Sequence, residues 1–590
     1  MANVSKFYLL RLRNASIAEL VFRFQQVLTQ IVLKFLNTLG FEIPRLPATG
    51  LQSVEKLNSP DLYPKKVSLL SEKEEILGLT PASVDGRIKK PNEGLQDSGL
   101  SSGSGDIRLV WEPARLQKVV ALLVYARQAD AAERKKAMNV ARRMILSWLL
   151  DNPFPRGVHY QSVMECALRV PVFFMALKQI DNLNAEESEI LLNAIYRHGW
   201  LISKKLSLYS SLGNHTITEA VGLIFAGAVY RSTRRGRDWL ERGIKLLNCE
   251  LSHQILEDGG PAEQSLNYHR FVLDLYLIAM DFIQKNNLGN VSHWQTKLAA
   301  GELFLSAFKD KNGIFPSIGD SDDGCAVAPG ISPSILAKGG IDKNYITFVD
   351  SGYTIIRNDE LVFTFDHGPL GMAPFYGHGH ADALSITLAK NGHPLLIDPG
   401  TYRYNGVPKL RRYFKGTRAH NTVTIDDQDQ AIQQTGFIWS KPYCAKLTEA
   451  ETQEGRLFFS AFHDGYTRLN QPVRHYRSIL FFDQANFLIR DRFSGKGKHQ
   501  FQINFHLHPK VTINQAGKWW MLTNCGEKIF IRLLDGELIP VKGGLNPIMG
   551  WFSSRYGEKE PTTVLTFTKK GHANEVTFET AVFTKQSFSQ

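Results

Sequence analysis

Apolar residues along this chain fall into three successive regimes. Over residues 17–39 they recur at helical spacing, interrupted by Glu19, Arg23, Gln25, Gln26 and Lys34, which predicts a basic amphipathic helix. From residue 109 to about 307 they return every three or four positions. That spacing predicts helices at 114–128, 131–150, 163–180, 185–204, 217–231, 238–256 and 272–285. After residue 345 the period shortens. Turn signals such as Asn391-Gly392 and Asp464-Gly465 separate short runs, predicting strands at 353–357, 361–365, 384–388, 394–397, 423–425, 457–462, 478–482, 487–490, 501–507, 529–534 and 563–567.

Successive antiparallel helix pairs imply an all-α array, curved or closed into a toroid, and many short strands imply a β-sandwich. A chain of 590 residues is too long for a single hydrophobic core. The expected organisation is an accessory arm and linker at 1–104, an α domain at 105–345 and a β domain at 346–590. Pro44, Pro47, Pro60 and Pro64 punctuate the arm, and residues 85–105, ending in a Ser/Gly tract, read as a linker or mobile loop.

Composition narrows the partners. A net charge of +12 favours a polyanion, whether nucleic acid, anionic lipid or acidic polysaccharide, and does not choose among them. Five scattered cysteines, odd in number and without a CxxC pair, read as buried free thiols rather than a disulfide framework or zinc knuckle. The apolar run at 7–10 is cut short by Arg11 and Arg13, so no signal peptide is expected. Charges within 17–39 exclude a membrane span there; the helix is expected to dock on the protein body, with peripheral membrane contact as the lesser reading.

Four places carry candidate chemistry. Asn214-His215 follows Gly213 at a helix start, with Glu219 one turn on; a helix N-terminus attracts a carboxylate, although Asn214 or Thr216 could simply cap the helix. Asp258-Gly259-Gly260-Pro261 leads through Glu263 to Tyr268-His269-Arg270, where Tyr268 could move a proton. His378-Gly379-His380 forms a bent, glycine-flanked loop. Asp398 and His420 join that loop, because two imidazoles and a carboxylate are a common zinc donor set. A two-residue turn at Asn391-Gly392 would set Asp398 across from Ser385, so the histidine loop must curl back to reach it. The acidic run Asp320, Asp322 and Asp323 lacks EF-hand spacing and reads as a structured interdomain turn.

Together these stretches resemble the heparinase II/III family of polysaccharide lyases. The carrying residues are Trp111-Glu112, Arg115, Asn152-Pro153, Met164-Glu165, Arg169, Asn214-His215, Tyr268-His269, Gly319–Gly324, His378–Asp382, Asp398–Tyr402 and Arg418–Val423. The resemblance implies a multidomain α + β chain: an incomplete (α/α) toroid followed by an antiparallel β-sandwich. It implies that Asn214 and His215 hold and neutralise a uronate carboxylate, that Tyr268 is the catalytic tyrosine, and that His378 faces it across the cleft. It implies a structural zinc site at His380, Asp398 and His420, with no organic cofactor. Glu165, Arg169, Glu219, Arg270 and Arg418 are the candidate substrate-binding residues.

The implied reaction is β-elimination on an acidic, uronate-containing polysaccharide, which makes that polymer, and not nucleic acid, the expected partner. The absent signal peptide departs from secreted members. It suggests a cytoplasmic or membrane-peripheral bacterial enzyme working beside exopolysaccharide or capsule synthesis. Two alternatives stand beside this reading. One is a glycoside hydrolase on the same scaffold, using Glu263 with Asp258 or Glu165. The other is a catalytically silent polysaccharide-binding protein.

Overall fold

The computed structural model describes residues 15–38, 44, 47, 54–64, 105–209, 211–336, 344–453 and 455–584. Most of the arm, and the expected linker at 85–104, lie outside the described residues. Helix α1 (Ile17–Thr38) does dock on the protein body: the Arg23 guanidinium donates to the Tyr209 carbonyl (3.2 Å) and the Gln26 amide to that of Leu206 (2.9 Å). Its outer face leaves Ile17, Phe24, Ile31 and Phe35 exposed. Among the described residues no helix is long and apolar enough to cross a membrane. Strand β1 (Leu62–Pro64) pairs antiparallel with β2 (Ile331–Pro333), and Leu57 and Leu62 are buried, which ties this piece of the arm to the helices.

The helical region holds α2 (Gln117–Ala126), α3 (Ala131–Asp151), α4 (Val163–Gln179), α5 (Ala185–Lys204), α6 (Asn214–Val229), α7 (Arg234–Gln254), α8 (Leu266–Lys285) and α9 (Trp294–Phe308). Local sequence sets several starts. The Asn184 side chain accepts from the Glu187 amide (2.9 Å) while Glu187 accepts from that of Asn184 (3.0 Å), a capping box for α5. Ser265 caps α8 by accepting from the Tyr268 amide (3.2 Å). Helix α6 is buried along almost its whole length and, beyond Glu219, apolar on every face, packed against α4, α5, α7 and α8. Its N-terminus, where Asn214 sits, is thereby fixed at the mouth of the helical ring.

The β region begins with β3 (Tyr345–Phe348), β4 (Tyr353–Arg357), β5 (Leu361–Asp366), β6 (Ile386–Lys390) and β7 (His393–Leu396), one antiparallel sheet. An eight-stranded sheet follows, in spatial order Ala445–Gln453, Arg456–His463, Val473–Phe481, Phe487–Gly495, Thr577–Phe583, Glu527–Leu533, Trp519–Asn524 and Thr512–Ala516. Four further strands, Ile539–Lys542, Thr563–His572, Lys498–His506 and Val423–Ile425, form a third layer element. Burial alternates along Val473–Phe481, as a strand with one face in the core requires. The sandwich core gathers Phe363, Ile479, Ile489, Phe505, Ile531 and Phe578. The helical core instead continues through Phe304 and Phe308 into Tyr353 and Ile355, so helices and first strands share one packed junction. This is the toroid-plus-sandwich architecture the resemblance implied.

Two expectations need correction. Five cysteines are free, but only Cys166 is buried; Cys249, Cys444 and Cys525 are exposed. The Asn391-Gly392 hairpin exists, yet a bulge between Leu388 and Ala389 pairs Leu388 with Leu396 and slips the register by one. Asp398 therefore reaches the histidines through the curling segment before β6, where Leu384 takes φ 63°, and not through strand pairing.

Candidate active site

A cleft of about 540 Å³ opens between the ring of helices and the sandwich, lined by Asn214, His215, Glu263, Tyr268, His378 and Tyr404 among others. Asn214 is the first residue of α6, and the cap is Gly213, at φ 95°. A Cβ on Gly213 would lie 2.0 Å from Glu263 Oε1, so only glycine fits. Asn214 is thus not a cap. Its side-chain amide is free to donate to Glu263 Oε1 (3.2 Å) and to His378 Nε2 (3.2 Å).

The loop carrying His378 is held by Gly379, where a Cβ would lie 1.6 Å from the Leu370 carbonyl oxygen, and by a hydrogen bond from the Asp320 amide to the His378 carbonyl (2.8 Å). Asp320 is the hub of the site. It accepts from His378 Nδ1 (3.0 Å), from His380 Nε2 (3.1 Å) and from both terminal nitrogens of Arg411, one at 2.9 Å. Burial opposes its charge, but the Arg411 guanidinium and these hydrogen bonds hold its carboxyl well below the usual range. In its neutral form, with the proton on Nδ1 toward Asp320, His378 presents the lone pair of Nε2 beside Asn214. Burial pulls its imidazole down, but the Asp320 hydrogen bond and the Glu263 charge outweigh that, leaving its pKa raised.

Asp322 anchors the other half. It accepts from the Tyr268 hydroxyl (2.7 Å), the Tyr404 hydroxyl (2.7 Å) and the Asn267 amide (3.1 Å), and pairs with Arg108. Against burial, the Arg108 charge and the two phenols bring its carboxyl down to about 2. Burial, then the Asp322 charge, push the Tyr268 phenol well above its ordinary value, so Tyr268 holds its proton. The two hydroxyls lie 3.1 Å apart. His215 is neutral as well, down to about 4 through burial and the His378 charge.

His378 does not face Tyr268 across the cleft. The two rings stack, with centroids 3.8 Å apart and planes 23° from parallel.

His380, Asp398 and His420 converge behind this wall, their ligand atoms all within 4.8 Å of one another and all three residues buried. His380 Nδ1 and His420 Nε2 are buried with no hydrogen-bond partner, which is how imidazoles wait for a metal ion. His420 Nδ1 donates to Asp398 (2.9 Å). The donor set therefore fits a transition metal such as zinc.

The other candidates divide. Glu165 lines the cleft in a two-pronged ion pair with Arg115 (2.7 and 2.8 Å). Arg169 does not reach the cleft: it is fully buried, donating to the carbonyls of His159 (2.6 Å) and Ala114 (3.3 Å). Glu219, on α6 itself, is buried, accepting from the Ser207 amide (2.7 Å) and hydroxyl (2.6 Å). Arg270 reaches the Asn267 side chain (3.0 Å) and the Phe315 ring, while Arg418 pairs with Asp427. None of these four lines the cleft, because helical periodicity or a turn aims each away from it. Asp258 is also occupied, accepting from the amides of Gly260 (3.0 Å) and Ser351 (2.8 Å).

Sequence reasoning missed Asp320 and Asp322, which are the anionic floor of the site and no mere turn. It also missed Tyr404, Arg411 and Arg108. The one available signal was the doublet Asp320-Ser321-Asp322, whose alternate carboxylates point to two different clusters. Arg411 lies on a short helix, α10 (Pro408–Phe414), that the period reading did not find.

The fold and site define a helical-ring-plus-sandwich protein with a histidine–tyrosine–asparagine cleft. The heparinase II/III N-terminus model matches residues 133–324 and the heparinase II/III-like C-terminal model residues 341–582. The chain belongs to this heparinase II/III-like family. It is 25% identical over 418 residues to a heparin-sulfate lyase of Bacteroides stercoris, covering 64% of this chain and 58% of that protein. It is 26% identical over 332 residues to one from Pedobacter heparinus, covering 51% and 47%. The chain thus spans about half the length of the curated relatives it matches. In fold it is similar to a crystal structure of heparinase III, with TM-score 0.67, 16% identity and coverage of 90% of this chain and 88% of that one. A heparan sulfate lyase from Pedobacter heparinus gives TM-score 0.54 at 19% identity, covering 88% and 83%.

Proposed function

We propose that this protein is a polysaccharide lyase that cleaves an acidic, uronate-containing polymer by β-elimination. The observation that carries the reading is the meeting of Asn214, Tyr268 and His378 in one cleft: an amide donor, a phenol that keeps its proton and an imidazole lone pair. The heparin-sulfate lyases to which the chain is similar support the same class.

A uronate C5 proton becomes removable only when the carboxylate charge is neutralised. The Asn214 amide and the N-terminus of α6 serve that purpose. His378 Nε2 then takes the C5 proton, with Asp320 balancing the imidazolium that forms. The C4–O4 bond breaks as the C4–C5 double bond forms, and the Tyr268 hydroxyl delivers a proton to O4. Tyr404, hydrogen-bonded to the same Asp322 oxygen, is placed to resupply the phenol. A metal ion at His380, Asp398 and His420 would contribute positive charge that rigidifies the histidine loop; the steps above rest on the chain's own residues.

The test is a panel of uronate polymers incubated with purified protein. New ultraviolet absorbance from the conjugated double bond is expected. Reducing ends appearing without that absorbance would instead establish hydrolysis.

A further inference from the structure

Beyond Tyr404 the cleft continues into a second cavity of about 360 Å³, which shares Tyr404, Asn405 and Thr435 with the first and adds Arg412 and Gln434. Its volume is that of a small-ligand pocket (about 300–1,000 Å³). Its walls are built. Arg411 is locked onto Asp320 and donates from Nε to the Gly436 carbonyl (3.0 Å). The Gln433 amide donates to the Arg412 carbonyl (2.9 Å) and to Asp429 (3.0 Å), which pins the backbone that carries Arg412.

The two cavities differ in charge. In the first, both arginines are committed to the protein's own carboxylates, Arg108 to Asp322 and Glu112, and Arg115 to Glu165. In the second, the exposed Arg412 guanidinium has no carboxylate partner among the described residues. An anionic group there meets uncompensated positive charge, which attracts it and orients it.

We propose that the cavity beyond Tyr404 is a second sugar subsite, in which Arg412 binds the anionic group of a residue neighbouring the cleaved one on the same polymer. The assignment rests on the lyase reading for the direction of the chain chemistry, and on the shared walls for its continuity. It makes the protein prefer substrates long enough to fill both cavities.

The experiment compares wild type, Arg412→Ala and Arg412→Lys on size-fractionated oligosaccharides of a uronate polymer that the wild type binds. Affinity is measured by calorimetry and turnover by ultraviolet absorbance. Arg412 is exposed and outside every core, so the variants should melt with the wild type. Arg412→Ala should weaken binding of long oligosaccharides about tenfold, raising KM while holding kcat, with Arg412→Lys recovering part of the loss. The penalty should shrink as oligosaccharides shorten, and should shrink also as salt is raised. Equal affinity of wild type and Arg412→Ala for long oligosaccharides would overturn the subsite. A selective loss of affinity with no unsaturated product from the wild type would leave the subsite standing and overturn the lyase reading alone.

Discussion

The Tyr268 phenol stacks on the His378 imidazole, with ring centroids 3.8 Å apart, and so the proposed acid and base share one wall of the cleft. One residue comes from the first turn of a helix and the other from a loop of the β region. Their contact is fixed by two carboxylates two residues apart: Asp322 under the phenol and Asp320 under the imidazole.

Tyr268→Phe keeps the ring and its stacking but removes the proton. Unsaturated product should fall on the order of a hundredfold or more in kcat, while the loss of one hydrogen bond to Asp322 costs only about 1 kcal/mol of stability. Kinetics and a thermal melt run on the same preparation check this. Retained turnover would remove Tyr268 from the mechanism.

Asn214→Ala removes the donor that faces the substrate carboxylate. The expected result is a loss in kcat of about a hundredfold, with oligosaccharide binding weakened far less, because the amide matters most as charge develops. Calorimetric binding beside steady-state rates separates the two effects.

Asp320→Asn strips a charge that Arg411, His378 and His380 all use. It leaves the buried Arg411 guanidinium uncompensated, at a cost of roughly 3–5 kcal/mol. A large drop in unfolding midpoint together with lost activity is expected. A variant with wild-type stability would contradict the hub assigned to Asp320.

Elemental analysis of protein purified without added metal should find about one equivalent of a transition metal, lost in His420→Ala. Chelation should lower the melting temperature of the wild type and leave that of His420→Ala where it is. Metal-free wild type with an unchanged melt after zinc addition would refute the site.

Glu219 gives a pH dependence of known sign. Burial raises its carboxyl from 4.5 to about 7, the Ser207 hydrogen bonds notwithstanding. The folded state binds this proton more tightly than the unfolded chain. The contribution is therefore fully present below the unfolded value near 4.5 and lost as pH rises through about 7, an amount on the order of 3 kcal/mol. Glu219→Gln, which can keep both Ser207 contacts, should flatten the stability profile across that window and melt higher than the wild type above it. Denaturant titrations at several pH values measure the difference.

Much of this protein was legible as a string. The switch from a 3.6-residue to a two-residue period located the helices and most of the strands, because burial of one face leaves its period in the sequence. Strand 353–357 and helix 185–204 match their observed bounds to the residue. The motif residues Asn214, Tyr268, His378 and His380 stood out because glycine, histidine and tyrosine are costly to place without a reason. What the string could not reveal was which charges meet. Arg169, Arg270 and Arg418 suited an acidic polymer by residue type alone, and Glu219 stood out by its place one turn after Asn214, yet packing commits each to a partner away from the cleft.

The sequence by itself determined the order of helices and strands and the chemistry available in the histidine loop. Only the tertiary structure decided that Asp320 joins that loop to Arg411, that Asp322 joins Tyr268 to Tyr404, and that the phenol lies on the imidazole. Those contacts span 54 to 110 positions along the chain, and hydrogen bonds, charge pairs and ring contacts of that reach have no periodicity to betray them. They exist only once the helical core has closed against the first strands.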